Sequence, residues 1–138
     1  MPQGFQKIVY ESLNARQKES FNFQKVSAVL ADYGFITIKL SDDWHGADFI
    51  AQHLSGETLK VQLKGRLSFY KKYQGKDLRI CFRAENEWYF YPHDELLERI
   101  LAETNIGNTE SWVNHGGYSF PGFSQQLKMM LEPYRFVE

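Results

Sequence analysis

Apolar residues recur at intervals of three and four between Leu13 and Tyr33, where Phe23, Val26, Val29, Leu30 and Tyr33 form one stripe. That period predicts a helix with a single buried face, ended by Gly34 as its C′ residue. Carried backwards, the stripe brings Glu19 and Asn22 onto the same inward face. The period then changes to two. Phe35 to Leu40 (FITIKL) reads as a strand, and Ser41-Asp42-Asp43-Trp44-His45 as an acidic loop leading into Gly46 to Lys64, GADFIAQHLSGETLKVQLK. This last stretch is a β-hairpin pattern, two runs rich in β-branched and large apolar residues around a turn signal at Ser55 and Gly56. Leu78 to Phe82 and Trp88 to Tyr91 are two further strands joined by a polar turn. Pro92 opens a helix with Asp94 and Glu95 in its first turn and an apolar stripe of Leu96, Leu97, Ile100 and Leu101. Residues 104–122 are polar and Gly-rich, pinned by Trp112 and Tyr118, and Phe123 to Leu131 forms a last helix stopped by Pro133. Residues 1–11 have no period and read as an irregular or docked arm. The segment after Lys64, GRLSFYKKYQGKD, is open between a strand extension, a short helix and a loop. The expected fold class is α/β (α+β), a mixed sheet with helices packed against it.

Within the hairpin, alternation places Asp48, Ile50 and Gln52 on one face of the first strand and Lys60, Gln62 and Lys64 on one face of the second. Val61 and Leu63 then point to a core, while the opposite face carries two ammoniums and an amide that a plain structural strand does not need. An odd loop such as Ser55-Gly56-Glu57 sets Asp48 opposite Lys64 and Ile50 opposite Gln62. An even loop separates them, because a slip of one residue sends every side chain to the other face.

A chain of 138 residues with 43% hydrophobic and 16% aromatic content fits one globular domain, 1–138, with a core that needs no staples. No apolar run is long enough for a membrane span and MPQGFQKIVYES has no signal-peptide core, so the expectation is a soluble, cytoplasmic protein. Cys81 lies in the apolar strand LRICF and reads as packing; one Cys and four scattered His provide no zinc spacing. The net charge of −1 hides an asymmetry. Residues 60–83 carry eight Lys and Arg against Asp77 alone, whereas residues 85–110 carry seven carboxylates against Arg99. Such a distribution concentrates positive potential on one surface, or simply gives two oppositely charged solvated faces.

A helix ending at Gly-Phe, a strand, Gly46-Ala47-Asp48 at the head of a hairpin, and Gln62 two positions before Lys64 together resemble the core of the PD-(D/E)XK nuclease superfamily, the restriction-endonuclease-like fold. The resemblance spans Leu13 to Tyr91. It implies that Asp48 is a metal-binding carboxylate, that Gln62 stands where the motif has an acid, that Lys64 is the catalytic lysine, and that Glu19, or alternatively Asn22, adds a ligand from the helix. The implied cofactor is Mg²⁺ or Mn²⁺, hard cations suited to oxygen ligands and to polarising a phosphodiester. Arg66, Lys71 and Lys72 would hold the backbone of nucleic acid, DNA ahead of RNA, and Tyr70 and Tyr73 would stack on bases.

The pattern departs from the family in Gln62, which is neutral, and in the 15 residues between Lys64 and Ile80, a short interval for a crossover helix. The rival readings are a catalytically inactive module of the same fold that binds nucleic acid or a protein, and an unrelated α+β domain. Asp48 and Lys64 also read as a plain cross-strand pair, Gln62 as a ladder amide and Glu19 as a solvated helix residue. His93, between Pro92 and Asp94, reads as a helix-start residue, and Trp88-Tyr89-Phe90-Tyr91 as core and rim packing. A homodimer through an exposed edge strand is compatible with the aromatic content.

Overall fold

The computed structural model describes residues 4–137. Asn14 starts helix α1 (Ala15–Asp32) with a capping box: its side chain accepts the Gln17 N–H at 2.8 Å, and the Gln17 side chain accepts the Asn14 N–H at 3.0 Å. Strands β1 (Phe35–Trp44), β2 (Ala47–His53) and β3 (Thr58–Leu63) follow as an antiparallel meander. Residues 41–44, expected in an acidic loop, extend β1 instead. His45 and Gly46 both take positive φ, 54° and 89°, and this two-residue turn lets pairing resume at Trp44 and Ala47 beyond an irregularity after Lys39.

The β2–β3 turn is Leu54-Ser55-Gly56, one residue earlier than Ser55-Gly56-Glu57. The His53 N–H donates to the Glu57 carbonyl at 2.8 Å and the Gly56 N–H to the His53 carbonyl at 2.9 Å. Gly56, at φ 102°, is the third loop position, where a three-residue hairpin needs a residue free of Cβ strain. The loop is odd, as expected, but the register moves by two: Gln52 faces Thr58, Ile50 faces Lys60 and Phe49 faces Val61. Every side chain keeps its expected face. The expected partners change, however. Ile50 is not opposite Gln62, and one step beyond the Phe49 and Val61 pair Asp48 falls opposite Gln62 rather than Lys64.

From β3 the chain crosses to β5 (Leu78–Ala84), which lies parallel to it. The crossover holds the short strand β4 (Ser68–Tyr70) and one 3₁₀ turn, Lys71–Tyr73, in place of an α-helix. β6 (Glu87–Pro92) returns antiparallel to β5, and α2 (His93–Glu103) follows directly. The segment after α2 is more ordered than its composition implies. It contains α3 (Glu110–His115) and β7 (Gly117–Ser119), which pairs with β4 as a separate two-stranded sheet. After α4 (Gln125–Leu131), β8 (Arg135–Phe136) adds to the far edge, so the main sheet runs β1-β2-β3-β5-β6-β8. The architecture is a central mixed sheet flanked by helices. No helix of the described residues is long and apolar enough to cross a membrane.

Two cores sit on the two faces of this sheet. Under α1, Val26, Val29 and Leu30 pack on Phe49, Ala51, Val61, Cys81, Trp88 and Phe90. On the other face, Leu78, Ile80, Phe82, Tyr89 and Tyr91 meet Leu96, Leu97 and Ile100 of α2, Trp112 of α3, and α4. β5 and β6 are covered on both sides, which is why they read as nearly continuous apolar runs. The second layer stops short of β1. Ile36 and Ile38 on that edge strand are 59% and 53% exposed.

A buried histidine fastens the crossover to α2. His93 is fully buried; its Nε2 accepts the Tyr70 N–H at 3.0 Å and its Nδ1 lies 2.9 Å from Asp94 Oδ1. Asp94 in turn accepts the Gly75 N–H at 2.8 Å. A neutral ring with the proton on Nδ1 satisfies both contacts, because Nε2 must accept. His93 is thus far more than a helix-start residue. Burial holds its pKa below the usual 6.5 despite the neighbouring Asp94. The unfolded chain therefore binds this proton more tightly, so the stabilisation is complete above about pH 6.5 and declines as pH falls from there towards the lower folded value. Urea unfolding followed from neutral to mildly acidic pH should show this decline, and His93→Gln, which does not titrate, should flatten it.

Candidate active site

Asp48 lies in the first half of β2, Gln62 at the end of β3 with Lys64 one residue beyond it, and Glu19 in the first half of α1. Beyond Phe49 and Val61 the backbone ladder of β2 and β3 gives way to a side-chain bond: Asp48 Oδ2 accepts the Leu63 N–H at 2.8 Å. This bond ties Asp48 to the strand that carries Gln62 and Lys64. Gln62 pairs in register with Ile80 and so faces the α2 side, yet it lies where that layer thins out. Its Oε1 is buried and has no hydrogen-bond partner. Buried acceptors are nearly always satisfied, and leaving one bare costs about 1–3 kcal/mol.

The charges around Asp48 are unbalanced. Burial raises its pKa above 3.8, and the charge of Glu19 adds to the rise; the Leu63 N–H and the ammoniums of Lys64 and Lys39 oppose it without prevailing. Glu19 is itself held 3.5 Å from Lys39, a partner on β1 that the sequence pattern does not single out. Asn22, the alternative helix residue, donates to the Tyr10 hydroxyl at 2.8 Å. Asp48 and the bare Gln62 oxygen are oxygen donors, the chemistry that a hard divalent cation takes, whereas Glu19, paired with Lys39, acts on Asp48 through its charge alone. Among the described residues no group of three or more His, Cys, Asp and Glu is gathered for a metal.

The Lys64 ammonium stands 4.7 Å from the centre of the Tyr70 ring and 5.7 Å from that of Tyr73. Burial pushes the Tyr70 hydroxyl upward, but the hydrogen bond with Ser119 and the nearby Lys64 and Lys72 outweigh it and leave the pKa lowered. Arg66, Lys71 and Lys72 are exposed on the crossover, with Lys72 over both tyrosines and Lys71 over Trp112. Tyr73 corrects the sequence expectation. It is 5% exposed, packed under Gly46 and edge-on to His93, so its ring is a core element with no face left for a base. Tyr70 is half-buried and edge-on to Tyr73, which leaves it only partly accessible. Trp88 is the core residue expected of Trp88-Tyr89-Phe90-Tyr91, at 1% exposed, while Arg83, not legible as a site residue, lies over its ring and with Lys64 borders a cleft of about 460 Å³. The only sequence signal for Arg83 is its place at the end of the basic run.

Fold and site together define a mixed α/β domain with a carboxylate, an amide and a lysine on one hairpin, beside an exposed basic crossover. No protein-family model and no curated protein matches the sequence. Among solved structures the chain is similar to Hjc, a Holliday junction resolvase from Archaeoglobus fulgidus, at 15% identity and a TM-score of 0.42, over 50% of this chain and 74% of that one.

Replacing Gln62 by Leu removes the unpaired acceptor while keeping most of the volume. If Gln62 is retained for a site and not for the fold, Gln62→Leu should leave the protein as stable or up to about 1 kcal/mol more stable in urea unfolding.

Proposed function

We propose that this protein is a metal-dependent nuclease of the restriction-endonuclease-like class that hydrolyses phosphodiester bonds, with DNA the first substrate to test. The observation that carries the reading is the bare, buried Gln62 oxygen set across the strand pair from Asp48. An unpaired buried acceptor beside a carboxylate whose charged form is disfavoured suits a divalent cation, which would relieve both at once. Asp48 and Gln62 would hold it, and it would polarise the phosphoryl oxygen and stabilise charge on the leaving oxygen.

The protein's own groups supply the rest. Lys64 adds positive charge beside the scissile phosphate. Its neighbours Tyr70 and Tyr73 hold the ammonium through their ring faces while leaving it without a carboxylate partner among the described ion pairs. Lys71, Lys72 and Arg66 would neutralise the flanking phosphates, which makes binding steeply salt-dependent. Replacing the motif acid by Gln62 removes one negative neighbour, so the affinity for the metal is lower and a phosphate oxygen of the substrate becomes a more important ligand.

Linkage gives a test without a substrate. The raised pKa of Asp48 means that its neutral form is favoured in the fold: this stabilisation is present below about pH 3.8 and is lost as pH rises through the folded value. A bound cation reverses that penalty. Mn²⁺ or Mg²⁺ should therefore raise the melting temperature more at neutral than at acidic pH, by the equivalent of about 2.7 kcal/mol at a hundredfold excess over Kd, and Asp48→Ala should abolish the effect. With DNA, cleavage should require the same ions and fall by about 10²-fold or more in Asp48→Ala and Lys64→Ala. Salt-sensitive binding with no cleavage under any of these ions would instead identify an inactive binding module.

A further inference from the structure

The two edges of the main sheet are finished differently. The far edge ends on β8, two residues long, whose Arg135 is held by Glu87 and Glu132. The near edge is β1, ten residues long, and among the described residues no strand lies against its outer side. Such an edge is a template for pairing with another chain, and soluble proteins blunt it with short strands, prolines or charges. β1 has no proline. Its regular part, Phe35 to Lys39, carries one charge, and Ile36, Ile38 and Trp44 along the strand are 59%, 53% and 51% exposed. The helical layer over β5 and β6 stops short of these isoleucines.

We propose that β1 is a homodimer interface: two copies pair antiparallel, edge to edge, about a twofold axis near Ser41, and one sheet continues across both. The order of charges along the strand selects a second copy over an unrelated strand. Lys39 is the one cation of β1, and the carboxylates Asp42 and Asp43 lie three and four positions further on. Antiparallel pairing about Ser41 sets Lys39 of each copy against the Asp42-Asp43 end of the other, twice over by symmetry, and brings Ile38 of each alongside the other's Trp44. Opposite charges across a strand pair stabilise it, and like charges weaken it. A parallel in-register pairing, or an antiparallel one centred on Lys39, would set the two ammoniums against each other. Lys39 already has Glu19 at 3.5 Å, but that pair is 43% and 57% exposed and contributes little, which leaves the ammonium available to a second carboxylate. None of Asp48, Gln62 and Lys64 takes part, so the dimer and the nuclease stand or fall separately.

Sedimentation equilibrium on the full chain, without metal or nucleic acid, reads the association directly. The expected result is a reversible dimer, weakened by about tenfold or more in Lys39→Glu and in Asp42→Lys, each of which sets like charges together twice. Asp42 is the carboxylate to change because Asp43 accepts the Gly46 N–H at 2.8 Å and shapes the turn. Mixing the two variants in equal amounts restores opposite charges at both places, so a mixed dimer should form with close to the unmodified affinity. A misfolded variant cannot give that rescue. Lys39→Glu also faces Glu19, so thermal melting would verify that each variant is folded; if one is not, Ile38→Ser, at a side chain exposed in the monomer, carries the comparison and should weaken the dimer without a change of charge. A chain that stays monomeric at every concentration overturns the proposal. So does a dimer that all three variants leave unchanged, or one that both charge variants weaken and their mixture does not restore.

Discussion

The register of β2 against β3 is the constraint on which the rest depends. Phe49 and Val61 are fully buried partners under α1, and moving either strand by one residue would drive Asp48, Gln62 and the lysines into that apolar layer. The Leu54-Ser55-Gly56 turn closes the pair at the only parity consistent with this burial. Core packing and turn geometry thus agree, and together they oblige the polar residues of both strands to share the opposite face.

That opposite face is covered unevenly, and the unevenness creates the site. α2, α3 and α4 lie over β5 and β6, the crossover with Tyr73 reaches the β3 end of the sheet, and β1 is left with exposed isoleucines. Asp48, Gln62 and Lys64 fall at the margin, dry enough for a carboxylate to feel burial and an amide oxygen to go unsatisfied, yet open enough for the adjoining cleft. Deeper in, an ionised Asp48 would be too costly to retain; farther out, water would screen the influence of Glu19 and Lys64.

The crossover serves both purposes. With 13 residues between Lys64 and Leu78, where β5 begins, the chain crosses without an α-helix and instead uses β4 pinned to β7, one 3₁₀ turn, and the bond from the Tyr70 N–H to His93. The same short segment carries Lys71 and Lys72 outward and Tyr73 inward. A basic run in the sequence becomes a rigid presentation of charge because its aromatic residues are anchored in the core.

Much of this was legible beforehand. The period of three and four in residues 23–33, the alternation in 46–64 and the order of elements follow from which side chains must leave water, a property each residue carries with it. The shared face of Asp48, Gln62 and Lys64 followed from alternation together with an odd turn. What the chain could not disclose locally was set by contacts between distant segments. The position of the turn within HLSGE, the burial of Tyr73, the acceptor role of His93 and the pairing of β4 with β7 all depend on partners 20 to 50 residues away. Sequence alone determined five strands of the main sheet, three helices and the polar hairpin face, because burial patterns are local; only the tertiary structure decided the added strands β4, β7 and β8, and which polar atoms went unsatisfied, because pairing and satisfaction depend on what else arrives.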